Sequence, residues 1–344
     1  MGRITTTLEE RFGRGAIAAE PSVLLPSADL LPAEPDRLKW LAWRRDGLGG
    51  SDAAAVCGLS PWATPYTTWL EKTGQLPLVD RPPSRYQRWG TLLEPALRDA
   101  FEEETQLAVV HVQSLVVNRE RPWLRATLDG LAEGGVTAVF ESKASNGRDG
   151  RWDRGVPDYY LIQVQHQLAV TGLDLGYVAV LLGGADFEVY EVPRDEAAIG
   201  AILSQEERFW TENVGKGLAP VVDSSEETGI ALRAAFAESR SEKSIELPVE
   251  TAARLIDDLR SAKEASKDAE SRERAAANTL MALLGDAEFG LLEGQVAITW
   301  KTQSNRRIDV QALRDGYPEV AKAVLKETST RVLRLKTNGR NSDG

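Results

Sequence analysis

The chain has 344 residues and a formal net charge of −11, from 41 basic and 52 acidic side chains. At about 150 residues per domain this length indicates two domains, and a hydrophobic content of 42% excludes a wholly disordered chain. No apolar run approaches the ~18–20 residues of a membrane span and no signal-peptide core is visible, so we expect a cytoplasmic protein. A single cysteine excludes an intramolecular disulfide framework, and two histidines argue against a multi-histidine metal site.

The N-terminal third of the sequence predicts an irregular lead-in followed by helices. Clustered prolines and weak periodicity indicate irregular structure over residues 1–35. A glycine turn then leads into a short helix that Ser51 or Asp52 would cap. Glu94 and Pro95 are expected in the first turn of a later helix, where proline is tolerated.

The middle of the sequence predicts three strands, a helix, two further strands and another helix. Apolar runs mark the strands, and glycine-rich turns separate several of them. This order indicates an α/β (α+β) domain with a mixed central sheet flanked by helices. The strands are predicted at residues 109–117, 124–131, 136–144, 177–182 and 187–192, and the helices at 157–172 and 195–213.

The C-terminal part predicts a helical arm and a small α/β module. A charged, alanine-rich helix is predicted over residues 248–284. Residues 299–344 carry 10 basic and 5 acidic side chains, a local bias that a solvated surface would explain. The smaller elements are a hairpin at 290–302, a helix at 318–327 and a basic strand at 330–336. The predicted organisation is a lead-in at 1–35, a first domain at 36–222, a linker at 223–247 and a second region at 248–344.

The residues most suggestive of chemistry lie on two neighbouring predicted strands. Asp129 lies on one strand, and Glu141 and Lys143 share a face of the next, because alternate side chains in a strand point the same way. A short turn joins the strands, so the three groups can converge. Among the eleven lysines of the sequence, Lys143 alone has an acidic residue two positions before it. The alternative explanation is an exposed cluster of cross-strand ion pairs, worth about 0–1 kcal/mol.

Such a cluster suits the hydrolysis of a phosphodiester. Two carboxylates, with backbone and water oxygens, are ligands that Mg²⁺ or Mn²⁺ prefers, whereas these ligand types disfavour Zn²⁺. A bound metal would lower the pKa of a water molecule and screen the charge that develops on phosphorus. A neighbouring lysine can orient the attacking water and stabilise the transition state.

The pattern of Asp129 followed by Glu141-Ser142-Lys143 resembles the PD-(D/E)XK nuclease signature, with Leu128 in place of the family's proline. The surrounding segments resemble the YqaJ-type viral recombinase and phage lambda exonuclease branch. The resemblance extends over about residues 37–222 and implies a restriction-endonuclease-like core. Four stretches in the family's order carry it: residues 44–55, 89–95, 128–130 with 141–143, and 163–172.

The resemblance also implies roles for individual residues. Asp129, Glu141 and the carbonyl of Ser142 would hold the metal, and Lys143 would act on the water. Two further active-site residues would come from the flanking helices. The implied catalytic set is Glu94, Asp129, Glu141, Lys143 and Gln163.

A second group, upstream of the predicted strands, is implied to bind the 5′-terminal phosphate. It consists of Arg44, Arg45 and Ser51. Two guanidiniums, a hydroxyl and the N-terminus of a helix are chemically suited to an anion. The alternative is a helix cap flanked by two solvated arginines.

Together these residues and the resemblance imply a Mg²⁺-dependent exonuclease that acts on double-stranded DNA ends. It would digest the 5′-ended strand and leave a 3′ overhang for a single-strand-annealing recombinase, in a phage or prophage of a bacterial host. One alternative is a structure- or site-specific endonuclease on the same core. Another is a non-catalytic DNA-binding assembly module with a degenerate site.

The acidic net charge leads to an expectation about assembly, because such a chain is repelled by DNA at long range. The resemblance implies a ring of three subunits that encloses the duplex, with basic groups inside and acidic groups facing solvent. The alternative is a monomer or dimer with arginines scattered over its surface. The candidates for the lining are Arg81, Arg85, Arg88, Arg98, Arg148, Arg151 and Arg154.

Several other residues are predicted to be structural. Trp62, Tyr66 and Trp69 could stack on DNA, but we favour core packing for all three. His166 is predicted to have a structural role, and Cys57 is predicted to be buried in a helix of small residues.

Overall fold

A five-stranded mixed sheet forms the centre of the first of two units, into which the chain divides after Phe236. The computed structural model describes residues 25–31, 33–80, 82–147, 150–241, 243–326 and 330–336. The strands of the first unit are β1 (Ala28–Leu31), β2 (Ala108–Val110), β3 (Ser114–Asn118), β4 (Arg125–Leu128), β5 (Gly130–Glu133), β6 (Thr137–Ser145), β7 (Leu175–Leu182) and β8 (Asp186–Pro193). The central sheet has the order β2-β5-β6-β7-β8; β6 and β7 pair in parallel and the other neighbours pair antiparallel.

Two of the predicted strands are each divided between two sheets. The predicted strand at 109–117 becomes β2 and β3, and the one at 124–131 becomes β4 and β5. β3 and β4 form an antiparallel sheet with β1, whereas β2 and β5 belong to the central sheet. The turn between β2 and β3 uses left-handed backbone at His111 and Gln113. The second strand changes sheets at Asp129, which therefore lies at the junction of the two sheets.

Helices cover both faces of the central sheet. α4 packs on one face, where the Phe101 ring lies 4.8 Å from the Phe140 ring. α5 connects the parallel strands β6 and β7 and buries Val164 and Leu168 against the other face, in one cluster with Val139. The helices are α1 (Arg37–Arg45), α2 (Gly50–Val56), α3 (Pro65–Lys72), α4 (Arg85–Thr105), α5 (Asp158–Thr171), α6 (Glu196–Arg208) and α7 (Glu226–Ala235), and a π-helix (Phe209–Gly215) continues α6.

The predicted fold class is confirmed, since helices flank a mixed central sheet. Two local predictions are wrong. Pro95 lies inside α4 rather than in its first turn, because the helix already begins at Arg85; a proline there removes one backbone hydrogen bond. Gly49, rather than Ser51 or Asp52, is the N-cap of α2, and Asp52 instead accepts the N–H of Gly49 at 2.9 Å.

The first unit extends beyond the predicted domain at 36–222. β1, which lies within the predicted irregular lead-in, pairs antiparallel with β3. α7, which lies within the predicted linker, packs on α3: the Thr228 and Thr64 hydroxyls are 3.0 Å apart, and Ala231 is buried. Residues 1–24 of the lead-in lie outside the described residues.

The second unit is built around one long helix. The predicted long helix and hairpin are present, but the helix predicted at 318–327 is shorter and a further helix precedes it. Residues 330–336, predicted as a strand, have no regular structure, because no strand in the part of the chain that the structure describes forms a ladder with them. Its elements are α8 (Val249–Leu284), β9 (Phe289–Leu292), β10 (Gln295–Thr299), α9 (Val310–Gly316) and α10 (Pro318–Ala323). None of the helices in the described ranges is long and apolar enough to span a membrane.

The packing of α4 on the sheet leads to a prediction about stability. Phe101→Ala should lower the free energy of unfolding by about 3–5 kcal/mol, because the Phe101 side chain is fully buried and its loss leaves a cavity. Tyr86→Ala on the same helix is the matched control, with a change within about 0.5 kcal/mol, because Tyr86 is exposed. Urea denaturation measures both variants, and equal stabilities would contradict this packing.

Candidate active site

Asp129 is held in place by the neighbouring strand of the central sheet. Its Oδ2 atom accepts the backbone N–H and the hydroxyl of Ser142, each at 2.9 Å. This contact forms where β5 begins to pair with β6, just beyond the register pair Gly130–Phe140. Ser142 therefore positions Asp129 through its own side chain and N–H, a role that the sequence resemblance did not imply.

Glu141 is a buried carboxylate, and each of its two oxygens has a hydrogen-bond donor. Gln163 donates to its Oε1 atom at 2.6 Å, and Gln167 donates to its Oε2 atom at 2.7 Å. Lys143 also contacts Oε1, as an ion pair within the strand. The two glutamines lie on successive turns of α5, so the helix that covers the sheet also orients this carboxylate.

Lys143 is held between the carboxylates and an aromatic ring. Its Nζ atom lies 4.8 Å from the centre of the Tyr160 ring, within the range of a cation–π contact. Burial disfavours its charged form, but the negative charges of Glu141 and Asp129 hold the pKa of Lys143 above its ordinary value. The ammonium group is therefore charged and fixed beside both acidic groups.

The acidic groups repel one another. Burial and the neighbouring charge of Glu141, with a contribution from Glu94, raise the pKa of Asp129 to about 7. Burial also raises the pKa of Glu94, whose Oε1 atom accepts a 2.5 Å hydrogen bond from Gln113. Glu94, on α4, is therefore close enough to Glu141 and Asp129 for their charges to act on one another.

This donor set fits a hard divalent cation such as Mg²⁺ or Mn²⁺. In the part of the chain that the structure describes, no three His, Cys, Asp or Glu side chains converge into a metal-binding group. A cation between Asp129 and Glu141 would therefore take several water ligands, as Mg²⁺ prefers. The raised pKa of Asp129 supports the fit, because a cation would neutralise the repulsion that otherwise favours a proton.

A cleft of about 400 Å³ connects this cluster with part of the predicted phosphate site. Arg44 donates to the Ser51 hydroxyl at 2.8 Å, and both line the cleft. The same cleft is lined by Asp129, Lys143 and Gln163. The structure therefore brings together two groups that are separated by 78 or more residues in the sequence.

The Arg44 side chain is oriented by a buried ion pair. Asp52 accepts from Arg44 at 3.2 Å and from Lys72 at 2.6 Å. Burial opposes ionisation of Asp52, but Lys72 and Arg44 outweigh it and lower its pKa to about 2. The Arg44 guanidinium also lies 4.9 Å from the Trp40 ring, so a charge and an aromatic face both restrict it.

Arg45 is not brought into this cleft. It donates to the Leu76 carbonyl at 2.9 Å and lines a different cleft, of about 390 Å³, together with Trp62. The physical reason is helical geometry, since consecutive residues on α1 point about 100° apart. Of the two predicted phosphate-binding arginines, Arg44 lines both clefts and donates to Ser51, whereas Arg45 lines the second cleft and not the first.

Several residues at the site were not identified from the sequence. Gln167 is fully buried against Glu141, and its spacing of four residues from Gln163 was the available signal. Gln113 and Arg125 line the cleft but lie outside the four recognised stretches. Arg125 donates to the Trp43 carbonyl at 2.6 Å, which only the tertiary structure reveals.

His166 is fully buried and contacts Arg125, which lines the cleft, in agreement with its predicted structural role. Its Nδ1 atom lies 2.7 Å from Glu206, and its Nε2 atom lies 2.8 Å from the Arg125 carbonyl. Nε2 donates to the Arg125 carbonyl, and the Glu206 carboxyl group beside Nδ1 favours a positively charged ring. Burial opposes this charge, but Glu206 and the hydrogen bonds raise the pKa of His166 above 6.5.

The arginines predicted to line a DNA channel have mixed positions. Arg85, Arg88, Arg151 and Arg154 are exposed, and Arg98 is half-buried. Arg81 and Arg148 lie outside the described residues.

The fold and the site define a mixed α/β protein with a buried acidic cluster at the junction of two sheets, and similarity to known proteins defines the family. A model of the YqaJ-like viral recombinase domain matches residues 39–174. The protein YqaJ of Bacillus subtilis (strain 168), itself described as uncharacterised, is 34% identical over 308 residues, which cover 88% of this chain and 95% of the relative. The chain belongs to the family of YqaJ-like viral recombinase proteins, as the sequence resemblance predicted.

Two solved structures with lower similarity are both exonucleases by their descriptions. An alkaline exonuclease (LHK-Exo) from Laribacter hongkongensis is 21% identical, with a TM-score of 0.45, and the match covers 52% of this chain and 93% of that one. A phage-related exonuclease from Haemophilus somnus 129PT is 14% identical, with a TM-score of 0.31, and the match covers 40% of this chain and 75% of that one.

The His166–Glu206 pair leads to a prediction about pH. Because folding raises the pKa of His166, the pair stabilises the fold fully below pH 6.5 and loses this contribution as the pH rises through the folded pKa. His166→Gln should therefore lower the unfolding free energy at pH 6 by about 3–5 kcal/mol, and by less at pH 10. Urea denaturation at both pH values measures this, and a loss of equal size at the two values would contradict the ion pair.

Proposed function

We propose that this chain is a metal-dependent exonuclease that hydrolyses the 5′-ended strand of double-stranded DNA and leaves a 3′ overhang. One observation carries the proposal: Asp129 and Lys143 line the same cleft as Arg44 and Ser51. A catalytic cluster and an anion-binding pair in one cleft suit an enzyme that holds a terminal phosphate while it cuts nearby.

The chemistry follows from the donor set. Mg²⁺ bound at Asp129 and Glu141 would supply a water molecule of lowered pKa and screen the charge that develops on phosphorus. Lys143, fixed by Glu141 and the Tyr160 ring, can orient the attacking water and stabilise the negative charge of the transition state. Gln163 and Gln167 keep Glu141 in place during this step.

The preference for the 5′ end rests on Arg44. Its guanidinium is preorganised by Asp52 and by the Trp40 ring, and the Ser51 hydroxyl beside it adds a further hydrogen-bonding group. A guanidinium binds phosphate oxygens with charge-assisted hydrogen bonds. Because the pair lies in the cleft of the acidic cluster, a phosphate held there would bring the adjoining strand to Asp129 and Lys143.

Membership of a viral recombinase family supports the biological setting that we propose. The 3′ overhang would be passed to a single-strand-annealing recombinase of the same phage or prophage, in a bacterial cytoplasm. We also include in the proposal a ring of three subunits around the duplex, because a net charge of −11 opposes binding to DNA by an open surface. The exposed Arg85, Arg88, Arg151 and Arg154 are the described candidates for its lining.

The catalytic assignment predicts the effect of three substitutions. Asp129→Ala, Glu141→Ala and Lys143→Ala should each lower Mg²⁺-dependent digestion of linear duplex DNA at least ~1,000-fold, because each removes a metal ligand or the group beside the attacking water. Glu191→Ala, an exposed carboxylate on β8, is the control and should digest normally. Near-normal rates in the three variants would contradict the assignment, and cutting of closed circular DNA by the wild type would favour an endonuclease.

The phosphate site predicts a difference between two adjacent arginines. Wild-type protein should digest 5′-phosphorylated duplexes about 10–100 times faster than 5′-hydroxyl duplexes. This ratio corresponds to the free energy that hydrogen bonds to a charged phosphate contribute. Arg44→Ala should remove this preference, and Lys72 would still pair with the buried Asp52. Arg45→Ala should keep the preference, because Arg45 lines the other cleft.

Initial rates on the two substrates decide between these roles. Loss of the preference in Arg45→Ala but not in Arg44→Ala would reverse the assignment. Equal wild-type rates on both ends would contradict the phosphate site.

A further inference from the structure

Trp62 is an exposed aromatic side chain close to the acidic cluster. It lies between α2 and α3 and is 56% exposed, whereas Tyr66 and Trp69 on α3 are buried. The prediction of core packing is therefore correct for Tyr66 and Trp69 and wrong for Trp62. An exposed indole leaves an aromatic face open to a ligand, and the contacts of Trp62 lead towards the acidic cluster.

Trp62 begins a row of aromatic rings that leads to the catalytic lysine. Its ring centre lies 5.0 Å from Tyr159, in an edge-to-face arrangement, and 6.0 Å from Tyr160. Tyr160 is the ring whose centre lies 4.8 Å from the Lys143 Nζ atom. The Tyr160 ring thus lies between the exposed Trp62 indole and Lys143, the group that we propose orients the attacking water.

Hydrogen bonds of the loop restrict the backbone of Trp62, and the rings beneath its indole are themselves packed. The Trp62 N–H donates to the Ser60 hydroxyl at 3.2 Å, and Ser60 N–H donates to the Ala54 carbonyl of α2 at 3.0 Å. Tyr160 packs in turn on the buried Trp152, with ring centres 5.6 Å apart. The platform is therefore largely formed before any ligand arrives, which lowers the entropic cost of binding.

The surroundings of Trp62 are basic as well as aromatic. Arg44 and Arg45 line the same 390 Å³ cleft as Trp62, and Arg44 also lines the cleft of the acidic cluster. Cationic side chains beside an exposed ring are the combination that binds single-stranded nucleic acid, with the charges on the phosphates and the ring on a base.

We propose that Trp62 stacks on an unpaired base of the nucleic-acid strand that enters the active-site cleft. The inference rests on the proposed nuclease function, because it assumes that this strand runs past Lys143. An unpaired base exposes a π-face, whereas a base inside the duplex is covered by its neighbours. Stacking on Trp62 would hold the strand near the cleft without regard to sequence, since every base has such a face.

The experiment compares two single-stranded probes of equal charge. A fluorescein-labelled dT12 oligonucleotide and a 12-mer of abasic residues are titrated with the full chain in EDTA, and fluorescence anisotropy gives the affinities. Wild-type protein should bind dT12 about five- to hundredfold more tightly than the abasic probe. Trp62→Ala should remove this difference, and Trp62→Phe should retain most of it.

Leu59→Ala is the matched control, because Leu59 is in the same loop and is also 56% exposed. It should leave the difference between the probes unchanged. Equal wild-type affinities for the two probes, or an equal loss for both probes in Trp62→Ala, would overturn the stacking. Digestion of a linear duplex in Mg²⁺, measured in parallel on the wild type, tests the nuclease function separately, since stacking can fail while hydrolysis persists.

Discussion

The structure of the candidate active site depends on the burial of one carboxylate, that of Glu141. A charged carboxylate removed from water is strongly destabilising unless both of its oxygens have partners. Gln163 and Gln167 supply partners from α5, and Lys143 supplies one from the same strand. Val164 and Leu168 of α5 also pack against Val139 in one buried apolar cluster. The hydrogen bonds from Gln163 and Gln167 to Glu141 link α5 to the strand that carries the proposed catalytic residues.

The position of Asp129 follows from a second constraint, the division of two strands between two sheets. Inside a regular ladder, the backbone N–H groups of a strand donate to backbone carbonyls of the neighbouring strands and are not available to side chains. Asp129 lies between β4 and β5, where the pairing changes, so its carboxylate can accept from Ser142 and still face the cleft. The result is two acidic groups beside one lysine, with a raised Asp129 pKa that a divalent cation would relieve. The electrostatic repulsion thus lies at the site where we propose that a metal binds.

The strand that carries Glu141 and Lys143 could be predicted from the sequence, because alternation decides which side chains share a face. The likeness to known nucleases added Glu94 and Gln163, and the structure places both near the acidic groups. The division of the strands could not be predicted, because a continuous apolar run looks the same whether it pairs in one sheet or in two. Arg45 was grouped with Arg44 because adjacency in sequence does not show which side of a helix a residue occupies. Trp62 was assigned to the core because aromatic residues are usually buried, and nothing in the sequence showed that its loop lies at the surface.

The charge distribution connects these local features with the substrate. The chain is acidic overall, yet Arg44 and Lys143 line one cleft, and each forms an ion pair with a buried carboxylate. The most direct test of the central claim uses duplex DNA labelled at the 5′ or the 3′ end of one strand, with and without Mg²⁺. The account predicts digestion only when Mg²⁺ is present. The 5′ label should then be released early as a mononucleotide, while the 3′ label remains on progressively shorter fragments. Early release of the 3′ label, or digestion of equal rate in EDTA, would contradict it.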